Sequence, residues 1–379
     1  MILPGATLGM LGGGQLGRMF TVAARTMGYH VIVLDPNLDS PAGRMADEHL
    51  RAAYTDDWAL EQLARVCDAV TTEFESVPAE ALRRLEATRP VRPSSAALAV
   101  TQERISEKTF IRSEALPTAD FEVIRYARDL KSAFTKLTPP LILKVSAFGY
   151  DGKGQAEIED CNTLRAMFDH LKRVSCVLEQ RVDVKLELSI VLARSCSGET
   201  VCFPPTENIH RQGILSMSIV PARVELELAE QARAMATKLA ERLNYCGVMA
   251  VEFFVTRDNT LLVNEIAPRP HNSGHYTIDA CVTSQFEQQV RMSCGLPPGE
   301  TKLLSPVVMT NLLGDLWGHN PPDWSCVLKH SEAKLHLYGK REARPGRKMG
   351  HFCYLHQDLD CAIRGAQHIV AELIDARAG

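Results

Sequence analysis

No two of the 11 cysteines form a Cys-x-x-Cys pair, and their number is odd. That argues against a zinc knuckle and a disulfide framework. Free, mostly buried thiols in a reducing compartment are the expected state. No apolar run reaches the roughly 18 residues of a membrane span. No basic residue precedes Arg18, and the opening is glycine-rich, unlike a signal peptide. A cytoplasmic protein without a membrane partner is therefore expected. Net charge is only -4, so no general polyanion-binding surface is implied and nucleic acid is not an expected partner. Internal repeats and low-complexity segments are absent, as are a Gly-x-Ser-x-Gly element and a Cys–His pairing that would point to nucleophilic catalysis.

What is present is an ordinary soluble composition, 45% hydrophobic and 23% charged over 379 residues. That length suggests two or three domains and buries a large core. Residues 6–11 read as a short buried strand, followed by Gly12-Gly13-Gly14-Gln15-Leu16-Gly17. Leu16, Phe20, Ala23 and Met27 then recur at helical spacing, and residues 30–34 form a second strand ending at Asp35. This is a parallel α/β unit with a right-handed crossover. Gly12-x-Gly14-x-x-Gly17 matches the dinucleotide fingerprint, with an acidic residue 18 positions on. Alone it favours a nicotinamide or flavin cofactor. Its physical content is less specific: glycines admit an anion to the backbone, and a helix N-terminus offers free N–H groups. A phosphorylated substrate satisfies it equally well.

Asp57 is expected to cap a helix to Val66. Residues 68–72 read as a third strand, ending in Glu73-Phe74-Glu75, and Pro78 opens another helix. Carboxylates after a parallel strand lie where open α/β sheets bind ligands. Glu73 or Glu75 is placed to meet a substrate amine or hydroxyl, against the plainer alternative of a solvated loop charge. Residues 90–95, with two prolines, mark the first domain boundary.

Residues 101–115 read as one helix with Arg104 and Lys108 at i, i+4, whose plain reading is a solvated basic face. Residues 141–145 read as a strand in which Lys144 lies between Leu143 and Val145. A lysine facing inward there needs an anionic partner. The loop Gly149-Tyr150-Asp151-Gly152-Lys153-Gly154-Gln155 follows. Its glycines are hinges, and its N–H groups and lysine suit phosphate oxygens, a lid composition. It is not a Walker A loop, because Gly-Lys-Ser/Thr is missing. A plain hairpin loop is the alternative, and Lys144 just upstream favours a nucleotide lid. Residues 175–180 end at Glu179-Gln180, a hinge able to bond an adenine edge. Glu187 lies in an alternating run, and polar residues 206–213, including His210, interrupt that antiparallel stretch. Residues 226–243 and 283–294 read as amphipathic helices.

The stretch that organises the chain runs from Asn264 to His275. A strand over 260–266 delivers Glu265, and a Pro-rich loop presents Arg269, His271 and Asn272. Residues 247–256 form the preceding strand and carry Glu252. With Asp258-Asn259 as a two-residue turn, Glu252 pairs directly across from Glu265. Like charges so placed repel, so they call for a cation, and magnesium held by carboxylates and substrate phosphates fits. The plainer alternative is an edge hairpin with two solvated glutamates. His271 and His275 are four apart, but the prolines argue against a helix and no third ligand is near, so zinc is not expected. Strands near 307–313, 333–338 and 348–356 and a helix over 358–376 complete the chain. Residues 340–348 pack five basic side chains around a Pro-Gly turn, either a local anion site or a solvated hairpin.

Together these motifs resemble the ATP-grasp superfamily and, more closely, the N5-carboxyaminoimidazole ribonucleotide synthetases, bicarbonate-using enzymes of purine biosynthesis. The resemblance spans nearly the whole chain, from Gly12 to Met19 through the 149–155 loop and Asn264 to His275 to Arg344-Pro345-Gly346-Arg347-Lys348-Met349-Gly350-His351. It implies an N-terminal α/β domain (1–100), a central ATP-grasp domain (101–302) with a mobile lid at about 118–183, and a small β-rich C-terminal domain (303–379). Arg104, Lys144, the 149–155 lid, Glu179, Gln180, Glu187, His210 and Asn264 would surround ATP. Glu252 and Glu265 would hold Mg²⁺. Arg269, His271 and Asn272 would surround carboxyphosphate made from bicarbonate. Gly14, Gln15, Leu16, Tyr150, Asp151, Lys340 and Arg347 would bind aminoimidazole ribonucleotide. Members commonly carry Gly-Gly-Tyr-Asp where this chain has Phe148-Gly149-Tyr150-Asp151, a change that removes no donor side chain. The resemblance also implies a homodimer. The competing expectations are an NAD-dependent oxidoreductase, a related ligase joining formate to glycinamide ribonucleotide, and a non-catalytic nucleotide-binding regulator.

Overall fold

The computed structural model describes residues 1–147, 154–318 and 320–378. Four parallel strands open the chain, in the spatial order Glu48–Leu50, His30–Leu34, Thr7–Leu11, Ala69–Thr72. Thr7–Leu11, His30–Leu34 and Ala69–Thr72 are buried along most of their length, which is why they read as continuous apolar runs. The helix Gln15–Thr26 turns Leu16, Phe20 and Ala24 inward as one stripe. Asp56, rather than Asp57, caps the helix Asp57–Val66, accepting from the Ala59 amide at 2.9 Å.

A small antiparallel sheet follows, ordered Phe121–Ile124, Cys176–Gln180, Leu141–Val145, Gln155–Ile158. The helices Leu130–Lys136 and Cys161–His170 cover it. The largest sheet is antiparallel and runs Leu261–Ala267, Gly247–Thr256, Val184–Arg194, Thr206–Arg211, Ile214–Val220, Val307–Leu313, Lys348–Leu355, Ala333–Leu337, with Thr200–Cys202 beside Val184–Arg194. The C-terminal strands are therefore an extension of the central sheet, joined where Ile214–Val220 pairs with Val307–Leu313. Helix Leu226–Arg242 packs on one face of the central strands and Gln285–Cys294 on the other. Helix Leu359–Ala378 covers the C-terminal strands. The mixed α/β class, with its parallel N-terminal sheet and β-rich C-terminus, agrees with the sequence.

Three local expectations fail for identifiable reasons. Within residues 101–115 the helix is Arg104–Ser113, Thr101 instead ends a separate helix, Ser95–Thr101, and the Arg104 amide donates to Ser146 O at 2.7 Å. Lys108 is buried against Glu179 rather than part of a solvated basic face. The polar 206–213 segment is itself a strand, Thr206–Arg211. Its inward Glu207 pairs with Arg223, and Asn208 bonds Ser189 and Ser218. Cys196 and Cys246 form a disulfide while nine cysteines are free, correcting the all-thiol expectation. Pairing of Arg194 with Gly247 sets these two cysteines side by side, and their spacing in sequence gives no hint of it. Among the described residues, no helix is long and apolar enough to cross a membrane.

Candidate active site

The three sheets surround a cleft of about 1630 Å³. On the N-terminal side, Thr7–Leu11 delivers the glycine loop. Gly12 has φ +109°, and a Cβ there would lie 2.6 Å from Glu73 Cβ, so only glycine fits. Several of the loop's amides are already taken. Gly13 N donates to Asp35 Oδ2 at 2.7 Å, Gly14 N donates to Glu73, and Leu16 N donates to Glu73 Oε1 at 3.0 Å. Burial pushes the Glu73 carboxyl up, and the amides of Gly14, Gly17 and Leu16 oppose that shift. The expected open nest for a phosphate is thus filled by the protein's own carboxylate. The acidic residue of the fingerprint, Asp35, bonds Gly13 and Tyr54. The nicotinamide alternative loses the donors it relied on.

On the lid side, Lys144 Nζ meets Glu179 Oε2 at 2.8 Å, which supplies the anionic partner its position demands. Lys108 Nζ lies 3.5 Å from the same oxygen and donates to Thr118 Oγ1 at 3.0 Å. Burial would raise the Glu179 carboxyl, but Lys108, Lys144 and Arg104 together hold it at about 2. Gly154 O accepts from Val145 N, and Gln155 begins the next strand. Gly149, Tyr150, Asp151, Gly152 and Lys153 lie outside the described residues.

The hairpin pairs Glu252 with Glu265, as expected, but by another route. The turn holds three residues, with Thr256 N bonded to Thr260 O and Asn259 left-handed at φ +63°. Asn264 then bulges out between Phe253–Val263 and Glu252–Glu265. Glu252 Oε1 meets His271 Nε2 at 2.8 Å, and Glu265 Oε2 meets Arg104 at 3.4 Å. Burial alone would raise Glu252, yet His271, His210 and Lys348 hold its carboxyl at about 2. His210 Nδ1 lies 2.8 Å from Glu187, and that contact raises His210 against the effect of burial. One ligand atom each from Glu187, His210 and Glu252 falls within 4.8 Å of the others.

After Ala267 the chain leaves the sheet. Arg269 Nε donates to Glu75 Oε2 at 2.5 Å, tying this loop to the end of Ala69–Thr72. The Gln285 side chain bonds both the amide and the carbonyl of His271, and Asn272 exchanges two hydrogen bonds with Asn311. From the C-terminus, Lys340 Nζ donates to Gln15 Oε1 at 2.7 Å and to Lys348 O at 2.6 Å. Arg347 Nη1 donates to Glu342 O at 2.8 Å. The described residues nominated from sequence all reach this cleft: Gly14, Gln15 and Leu16; Arg104, Lys144, Gly154, Gln155, Glu179, Gln180, Glu187 and His210; Glu252, Asn264 and Glu265; Arg269, His271 and Asn272; Lys340 and Arg347.

Comparison with known proteins agrees along the chain. Residues 5–102 match a ribonucleotide synthetase preATP-grasp domain, 109–286 an ATP-grasp domain, and 307–364 a phosphoribosylaminoimidazole carboxylase C-terminal domain. The N5-carboxyaminoimidazole ribonucleotide synthase of Bacillus subtilis (strain 168) is 47% identical over 363 residues, 95% of this chain and 94% of the relative. The chain belongs to the N5-carboxyaminoimidazole ribonucleotide synthase family. A solved ADP complex of such a synthetase has a TM-score of 0.91 at 42% identity, covering 100% of this chain and 99% of that one. The Aspergillus clavatus enzyme, solved with ADP and 5-aminoimidazole ribonucleotide, has a TM-score of 0.89 at 30% identity, covering 98% of each.

Against this family background, sequence reasoning missed Glu107, the buried state of Lys108 and an apolar wall of the cleft. Glu107 lines the cleft with Lys108 behind it; Glu107 Oε1 accepts the Ile266 amide at 2.6 Å, and its carboxyl is pushed up to about 8, chiefly by burial. Ile142, Val182 and Phe254 supply apolar wall, and apolar residues in strands carry no mark that separates lining from core.

Proposed function

We propose that this chain carboxylates the exocyclic amine of 5-aminoimidazole ribonucleotide to N5-carboxyaminoimidazole ribonucleotide, using ATP and bicarbonate, in purine biosynthesis. The observation that carries this reading is the single cleft shared by the Glu252–Glu265 rung, the Lys144–Glu179 pair and the Lys340–Gln15 contact. The relatives' names and their ADP and ribonucleotide complexes support it.

Bicarbonate is a poor electrophile. In the proposed reaction a bicarbonate oxygen attacks the γ-phosphorus of ATP, ADP leaves, and carboxyphosphate forms. The exocyclic amine then attacks the carboxyl carbon, directly or as released CO₂, phosphate departs, and the amine loses a proton. Arg104, Lys144, Gly154, Gln155, Glu179, Gln180, Glu187, His210 and Asn264, with the loop 149–153, are assigned to ATP. Lysine offers three donors, so Lys144 can keep Glu179 while reaching a phosphate oxygen. Arg269, His271 and Asn272 are assigned to bicarbonate and carboxyphosphate. Arg269 is a forked donor suited to a planar carboxylate. Gln15, Lys340 and Arg347, beside Gly14 and Leu16 and with Tyr150 and Asp151, are assigned to the ribonucleotide. Closing the loop over the cleft would keep water from the intermediate.

Glu252 and Glu265 fit a hard cation: both present carboxylates to the cleft from one rung, and each is balanced here by a basic side chain. They would hold Mg²⁺, which neutralises phosphate charge when bound. The same reading divides the chain at 1–100, 101–302 and 303–379, with a lid at about 118–183 that holds the small antiparallel sheet, and makes the protein a cytoplasmic homodimer. The deciding assay measures ADP release with Mg²⁺, with and without bicarbonate and the ribonucleotide. Full rate should require both. Stimulation by glycinamide ribonucleotide with formate, and none by aminoimidazole ribonucleotide, would transfer the chain to the related ligase reading.

A further inference from the structure

A second cluster of ligand-type side chains lies outside the cleft. His368 and Glu372 are four residues apart on the helix Leu359–Ala378 and so leave the same face. His330 comes from the turn after the short helix Ser325–Leu328. His330 Nε2 lies 3.5 Å from Glu372 Oε2, and His368 Nε2 lies 3.4 Å from Glu372 Oε1. One ligand atom from each of the three falls within 4.8 Å of the others. Ligands held at ~2.0–2.1 Å around a tetrahedral zinc ion are roughly 3.3 Å from one another, and each imidazole already lies near that distance from one oxygen of Glu372. His330 Nε2 and Glu372 Oε2 are buried atoms, and among the described residues neither has a well-formed hydrogen bond beyond their 3.5 Å contact with each other. The His330 ring rests against Tyr354 and stands perpendicular to His368, with centroids 6.3 and 6.0 Å away.

We propose that His330, His368 and Glu372 form a site for a divalent transition-metal ion of the zinc class. Two imidazoles and a carboxylate, with a fourth position for water, suit zinc, cobalt or nickel and not magnesium, which prefers oxygen ligands. The site is thus chemically distinct from Glu252 and Glu265. Lys329 bonds the same carboxylate, but half of its side chain is in solvent, so it can leave when a metal binds. The ion ties the turn before strand Ala333–Leu337 to the helix covering that sheet. Its role is a staple for the C-terminal region, stabilising the folded state by binding to it alone.

The test titrates the metal-free full chain with Co²⁺ in excess Mg²⁺, which occupies oxygen-ligand sites, and follows visible absorption. Wild type should develop d–d bands without a thiolate charge-transfer band, and Zn²⁺ should displace the cobalt and raise the melting temperature. His368→Ala, at an exposed position, should fold normally by circular dichroism. It should lower affinity at least about tenfold, the loss seen even when outer-shell partners are removed, and abolish the thermal shift. Lys329→Met should tighten binding by removing the competing ammonium. Binding unchanged in both His330→Ala and His368→Ala, or a spectrum dominated by thiolate charge transfer, would overturn the assignment.

Discussion

Glu252 stands opposite Glu265 because two one-residue irregularities cancel. The three-residue turn shifts the ladder by one, and the bulge at Asn264 shifts it back. A regular ladder after that turn would set Glu252 against Asn264 and send Glu265 to the other face. Ile266 N, bonded to Glu107, anchors the strand just past the bulge.

The rung gives the first prediction. Glu265→Gln should leave the melting temperature nearly unchanged, because its contact with Arg104 is long and partly exposed and such pairs contribute little. Mg-dependent ADP release should fall to background. Full activity of the variant at low magnesium would remove Glu265 from the site.

Glu179 gives a pH-dependent prediction. Its folded carboxyl is held at about 2, below its ordinary 4.5. The stability contributed by the Lys108–Glu179–Lys144 cluster is therefore fully present above pH 4.5 and lost as the pH falls toward 2. Glu179→Gln leaves buried lysine charge unpaired and should cost about 3–5 kcal/mol at neutral pH. It should also flatten the acid slope in urea unfolding. Adding Lys108→Met should recover part of the loss, since the two residues are coupled. Additive losses would show that Lys108 and Glu179 do not act as a pair.

How much of this was legible depended on whether a residue's role was local. Periodicity located most strands, and the spacing around Asn264 to His275 picked out the rung and the basic loop. Lys144 could be read as needing an anion because its neighbours are apolar. Lys108 could not, because its burial follows from packing against Glu179 and Thr118, partners distant in sequence, which is a tertiary cause. The glycine loop misled for a similar reason. Its pattern reports that an anion sits on the backbone, and only the fold shows that the anion is Glu73. Cys196 and Cys246 meet through strand pairing that neither spacing nor composition encodes.

Arg269 gives the third prediction. Its Nε is fixed by Glu75, a carboxylate delivered from the N-terminal sheet. Glu75→Ala removes that anchor while leaving the guanidinium in place. The Michaelis constant for bicarbonate should rise by about tenfold, the equivalent of a charge-assisted hydrogen bond at the low end of its range. That for ATP should change little. A selective rise for ATP would instead place Arg269 against the nucleotide.

The contact between Lys340 and Gln15 joins the two ends of the chain at one wall of the cleft. Because Glu73 already fills the glycine nest, the backbone amides of Gly14 and Leu16 cannot be what attracts a phosphate dianion. Cationic side chains must do so, and Lys340 and Arg347 are the two assigned to the ribonucleotide. Arg347 adds a forked set of donors and Lys340 a point charge, while Gln15 contributes only a neutral dipole. Losing a charge-assisted contact costs roughly 1.5–3 kcal/mol and losing a neutral one about 0.5–1.5 kcal/mol. Arg347→Ala and Lys340→Ala should therefore raise the ribonucleotide Michaelis constant about ten- to a hundredfold, and Gln15→Ala by less. The constant for ATP should stay nearly fixed in all three. Saturation curves for both substrates on each variant make the comparison. If Arg347→Ala raises the ATP constant and spares the ribonucleotide, the Pro345-Gly346 turn belongs to the nucleotide side of the cleft, and the ribonucleotide phosphate must be held elsewhere.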